Sequence, residues 1–143
     1  MSAEQTMITA TQSKVRNVLS ERFPNHIDFG DGTFAVPYGS SSVAIVVRPY
    51  TETDTMVELI AQLVSEATVN NDVMHWLLRK NAELHMGAFG LLFDDSIVYS
   101  YAIAGNSLDA DELESAIAAI AVISDHYDDE IVAMAGGKRA VDA

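Results

Sequence analysis

Residues 87–105, "GAFGLLFDDSIVYSYAIAG", alternate large with small side chains rather than apolar with polar ones. Successive side chains of a strand point to opposite faces, so a hairpin with one wet face carries a polar row. This hairpin has none. With Asp94-Asp95-Ser96 as a three-residue loop, Phe93 faces Ile97, Leu91 faces Tyr99 and Phe89 faces Tyr101. One face is then large and aromatic. The other carries Ala88, Gly90, Leu92, Val98, Ser100 and Ala102, small and uncharged. A two-residue loop would shift the pairing by one and mix the two sets. Any fold for this chain must either roof both faces or leave one for another polypeptide.

The remaining segments supply three helices and further strands. In residues 3–23, Met7, Ile8, Thr11, Val15, Val18, Leu19 and Phe23 form one helical stripe, which Pro24 terminates. Asp31-Gly32 reads as a two-residue hairpin turn and 38–42, "YGSSS", as a second turn. Residues 42–50 are β-branched and apolar on both sides up to Val47. Residues 54–71 fit either a helix with a wide stripe or a strand. Periodicity alone leaves the choice open, and the preceding strand favours a strand. Residues 71–81 read as a short helix with Asn71 as N-cap and Asn81 as its left-handed end. Asp109 with Glu112 three residues on opens a long helix of about 26 residues, or ~39 Å. Gly136-Gly137 close it, and 138–143, "KRAVDA", is expected to fray. The expected fold class is α+β: an antiparallel sheet with three helices in the order α-βββ-β-α-ββ-α, forming one domain over 1–137.

Composition narrows the function. The chain of 143 residues has 21 acidic and 8 basic residues, a net charge of −13. No cluster of Lys and Arg is present to replace phosphate counterions, so neither nucleic acid nor an anionic membrane is an expected partner. The same charge favours solubility and basic partners. No apolar run reaches the ~18 residues of a membrane-spanning helix, and the N-terminal residues lack an apolar signal core, so a cytoplasmic protein is expected. The absence of cysteine removes disulfides, thiolate chemistry and the strongest zinc signature.

Two long helices cover one face of the sheet, and the short helix is too small to roof the other. Each large aliphatic side chain left wet forgoes about 1.5–3 kcal/mol of burial. A homodimer or a bound peptide is therefore expected to complete the shelter. The expected interface comprises Val73, Trp76, Leu77, Ala88, Gly90, Leu92, Val98, Ser100 and Ala102.

The stretch from "LLRKNAELHMGAFGLLF" through "IVYSYAIAGNSLDADELESAI" to "YDDEIVAMAGG" resembles the YbjN-like family, related to the type III secretion chaperone-like (CesT/Tir chaperone) fold. The likeness covers about residues 40–137. It lies in a helix ending "RKNAEL", the strands "GAFGL" and "IVYSYAIAG", then "SLDADELESAI" and a terminal "YDDEIV". The resemblance implies that 56–64 is a strand. It also implies small acidic homodimers that bind segments of other proteins, with assignments in the family as regulators of stress or signalling.

No catalytic, cofactor or metal site is expected. His126 with Glu130, and Asp125 with Asp129, stand four residues apart on the last helix and supply at most half a metal site; a solvated acidic face accounts for them. Asp94-Asp95 is a turn, and "DFGDG" at 28–32 matches a kinase element in letters only. Nothing resembles a phosphate loop or a nucleophile–base set. The expected function is a non-enzymatic homodimer of chaperone type that binds segments of partner proteins. The alternative is a regulatory or scaffold dimer without a peptide groove.

Overall fold

A computed structural model describes residues 2–143. Helix α1 (Ala3–Arg22) is followed by strands β1 (Ile27–Asp28), β2 (Thr33–Tyr38), β3 (Ser41–Tyr50) and β4 (Asp54–Ser65). Then come α2 (Asn71–Glu83), β5 (Ala88–Leu91), β6 (Ile97–Ala104), α3 (Ala110–Ala135) and β7 (Lys138–Arg139), with a last 3-10 turn over Ala140–Asp142. The sheet runs β1-β2-β3-β4-β6-β5, every neighbouring pair antiparallel, and β7 adds to β4 beside this path. The α+β architecture and its element order agree with the sequence reading, and residues 54–65 are a strand.

Local chemistry explains the helix ends. The Ser2 hydroxyl accepts the Gln5 amide, and the Asp109 carboxylate accepts that of Glu112. Asn70, rather than Asn71, caps α2 by accepting the Val73 amide. Asn81 lies inside that helix, which continues to Glu83. Its side chain has another task, described below.

All three helices lie on one face of the sheet. Val15 and Leu19 of α1 pack with Leu113, Ile117 and Ile120 of α3 over Val43, Ile45, Leu59, Ala61 and Tyr99. Helix α2 joins the same layer: the Trp76 ring sits 5.7 Å from both Phe89 and Tyr127, and Phe89 stacks edge-on against Tyr99 at 4.8 Å. The expectation that the short helix would serve the opposite face is thus corrected. A bulge between Gln62 and Val64 in β4 lets both Leu63 and Val64 reach the core.

Two registers differ from the reading of the sequence. The first hairpin turns through Gly30-Asp31-Gly32, because Phe29 donates its amide to the Thr33 carbonyl, making a three-residue loop. In the hairpin of β5 and β6, Leu91 faces Ile97 and Phe89 faces Tyr99. The expected pairing of Phe93 with Ile97 is off by two. Leu92 donates to the Ser96 carbonyl, Asp95 adopts φ 62° and Asp94 accepts the Ser96 amide, so the loop is Phe93-Asp94-Asp95. A slip of two leaves each side chain on its expected face. Phe93 moves to the tip, where it is 100% exposed.

The C-terminal residues do not fray. Gly136 and Gly137, with φ of 70° and 87°, turn the chain back so that Arg139 pairs with Val64 and Lys138 with Ser65. Only glycine fits at 137: a Cβ there would stand 2.3 Å from the Ser65 carbonyl oxygen.

Candidate functional site: the bare face of the sheet

With every helix on one side, the opposite face has no helical roof. Cross-strand pairing sorts it into rows. One row crosses five strands as Ala35, Ala44, Ile60, Ser100 and Ala88. A second contains Thr33, Val46, Glu58 and Ala102, and a third Arg48, Met56 and Ala104. Gln62, Val98 and Gly90 form another. Five strands at a spacing of ~4.8 Å make a surface roughly 19 Å wide. Ala44, Val46, Met56, Ile60 and Ser100 are half-buried, while Ala88, Ala102 and Ala104 are exposed. The charged groups of these rows, Arg48 and Glu58, pair with each other at 3.4 Å. The face is therefore flat, small-grained and electrically quiet.

The C-terminal turn covers one end of it. Ala140 and Ala143, together with Ser42, Ala44, Ile60, Gln62, Leu92 and Val98, enclose a shallow cavity of about 420 Å³. The rest of the face stays open.

A second apolar surface lies at the sheet edge. Met74, Leu77, Leu78 and Asn81 of α2 and Phe89, Gly90 and Leu91 of β5 line a groove of about 210 Å³. Leu78 is 67% exposed there. The edge itself is guarded at one point: the Asn81 side chain accepts the Phe89 amide at 2.7 Å and donates to the Phe89 carbonyl at 3.3 Å, as a neighbouring strand would.

The expected interface residues divide between these regions. Ala88, Gly90, Val98, Ser100 and Ala102 share the bare face, and Leu92, paired with Ser96 just before the hairpin loop, borders it. Val73 and Leu77, 2% and 5% exposed, belong to the core beneath α2. Trp76 is half-buried against Phe89 and Tyr127, with the Lys80 ammonium 5.6 Å above its ring. Val73 and Trp76 do not adjoin the small-residue face, and Leu77 meets it only at Gly90, in the edge groove. Sequence reasoning passed over Ala44, Val46 and Ile60 as site residues, although the unbroken apolar run of 43–47 is the signal that a strand is apolar on both sides.

Of the acidic groups weighed as ligands, Asp125 and Asp129 have structural partners, Asp129 in the Arg139 guanidinium at 3.2 Å, and the neighbouring Asp128 and the distant Asp28 are engaged as well. Asp125 accepts the Ser40 amide and hydroxyl, both at 2.8 Å, which holds its carboxyl below the usual range. Asp128 is buried, and burial pushes its carboxyl up; its Oδ2 lies against the same Ser40 hydroxyl, whose one proton the two carboxylates share. Asp28 binds Arg16 and the Gly30 amide. Among the described residues no group of three or more His, Asp or Glu is arranged to hold a metal ion, and no helix is long and apolar enough to cross a membrane.

A search of curated proteins finds no match. Among solved structures, a chain of "Crystal Structure of the ExsC-ExsE Complex" superposes with a TM-score of 0.62 at 12% identity, covering 92% of this chain and 97% of that one. At that identity the likeness speaks for the fold. A family description matches residues 9–143, nearly the whole length. The chain belongs to that family, TY-Chap1, described as T3SS (YopN, CesT) and YbjN peptide-binding chaperone 1.

Proposed function

We propose that this protein is a chaperone that receives a segment of a partner protein on the bare face of its sheet. The observation that carries the reading is the face itself: five strands wide, built mostly of small and aliphatic side chains with Thr33, Gln62 and Ser100 among them, and charged only through one internal ion pair. Family membership supports it, as does the fold shared with a chain of a complex, ExsC with ExsE. An extended or helical partner segment would bury apolar side chains against Val46, Met56 and Ile60.

The test uses a displayed peptide library and two proteins, wild type and Ala102→Lys. Residue 102 is exposed and pairs with Glu58, so the lysine is tolerated by the fold while it wets the face. Peptides retained by the wild type and lost by the variant support the reading. Equal retention by both removes the Ala102 end of the face from the function, and equal retention by an Ala44→Lys variant as well removes the face.

We also propose a homodimer, and the α2–β5 groove with its exposed Met74, Leu78 and Leu91 is the surface that favours it. The same groove favours a second reading, a regulatory or scaffold dimer without peptide binding. Sedimentation of wild type and Leu78→Lys over a dilution series, set beside the library result, separates them. A dimer lost in Leu78→Lys with no peptide retained by the wild type favours the scaffold.

A further inference from the structure

The last six residues lie where a partner segment would lie. After Gly137, Lys138 and Arg139 pair with the end of β4, at Ser65 and Val64. Ala140 and Ala143 then lean over the bare face beside Ala44, Ile60 and Val98. The basic pair meets acidic groups of the body: Lys138 reaches Glu66 at 3.3 Å and Arg139 reaches Asp129 at 3.2 Å. Asp125 and Asp128 also lie within electrostatic reach of Arg139. Two strand pairings and exposed ion pairs make a shallow attachment. In a chain of net charge −13, this corner pairs a cationic segment with an anionic rim.

We propose that residues 138–143 are a tethered self-ligand. They hold a docking place for a partner segment of the same chemistry, two adjacent basic residues followed by small apolar ones and an acidic residue that folds back on the second base, which must displace them to bind. The proposal rests on the peptide-binding reading above and adds to it the position, the charge pattern and a built-in competitor. The tether of two glycines keeps the tail at an effective concentration on the order of millimolar, so weak segments are excluded and a client must outcompete it.

The experiment keeps the full chain. Gly137→Ala puts a Cβ against the Ser65 carbonyl and strains a φ of 87°, so it releases the tail without changing the tail's own chemistry. Arg139→Glu, which sets like charges against Asp129 and Asp142, is the second releasing variant. Thermal unfolding first establishes that each is folded. The probe is the free peptide GGKRAVDA, followed by amide chemical shifts at Ser42, Ala44, Ile60, Val64 and Ser65. The expected result is binding to either variant at least tenfold tighter than to the wild type, abolished in GGEEAVDA and weakened in GGKRNQDN. Equal binding to wild type and variants, or no shift in the variants at millimolar peptide, overturns the proposal. With the α2–β5 groove blocked by Leu78→Lys, a concentration-dependent dimer that appears only when Gly137→Ala is added, and that the peptide does not dissolve, makes the occupant of the face a second copy and also overturns it. Library peptides that shift only Met56, Ala102 and Ala104, whatever the state of the tail, remove the tail from the mechanism and leave peptide binding standing. If no peptide shifts any residue of the face, both readings fall together.

Discussion

Replacing Asn81 by alanine tests how the exposed edge of the sheet is held. Both Asn81 bonds go to the backbone of Phe89, whose amide and carbonyl point away from β6. Alanine removes both partners and leaves two part-buried backbone groups facing a groove of apolar side chains. At about 1 kcal/mol net per hydrogen bond, with a further penalty where a group stays dry, the expected loss is about 2 kcal/mol. For a chain of this length, that corresponds to a fall in Tm of roughly 6 °C. Urea unfolding read by Trp76, whose ring contacts Phe89, measures the loss, and hydrogen exchange at the Phe89 amide localises it. Ala82→Ser, exposed on the same helix, is the control. A variant within 1 °C of wild type, with unchanged Phe89 exchange, would refute the claim that Asn81 stands in for a neighbouring strand.

Three further outcomes follow from the geometry. The Asp128 carboxyl is raised, chiefly by burial, with Asp129 opposing its ionisation and Ser40 and Arg139 favouring it. A raised folded value contributes stability below the unfolded value that is lost as pH rises through the folded one, so Asp128→Asn gains on wild type at pH 7 and loses that gain towards pH ~4 in a Tm series. Gly87→Ala, at φ 90° with a Cβ 2.7 Å from the Ser100 carbonyl, is expected to cost roughly 1–3 kcal/mol in urea unfolding. Phe93→Ser, at a fully exposed tip, is expected to change stability by less than about 0.5 kcal/mol, and a larger loss would show that the tip is packed.

How far the fold was legible depends on the range of the forces that set it. Helix limits are local, and the Asp109 cap and the closing Gly136 fall where the residues put them. The hairpin faces were legible because large and small residues separate with period two. The register was not, because it turns on Asp95 taking a left-handed conformation that its neighbours do not announce. Asn81 suited a helix end by type, and only the return of β5 beside α2 gave its amide two better partners. The site was half legible for the same reason. Apolar residues on α2 and on the small face look alike in sequence, but Val73 and Leu77 face the core while Ala88 and Ala102 face away from it. Which side of a sheet a helix takes is a tertiary choice, and no local pattern in 71–83 encodes it.

The grain of the bare face bears on how tightly a partner could be held. Apolar burial scales with the groups removed from water, at about 0.8 kcal/mol per methylene, and alanine, glycine and serine bring few. On the proposed reading, Ile60, Met56 and Val46 are the chain's larger contributions, so most of the buried area must come from the partner's own side chains. A flat, small-grained receptor of that kind selects weakly by shape and releases readily. Discrimination would then fall to the charged corner around Glu66 and Asp129, where Lys138 and Arg139 already sit. Placing charge-based choice at one end and permissive apolar contact along the rest allows segments of differing sequence to share one surface, provided that each can evict the tail.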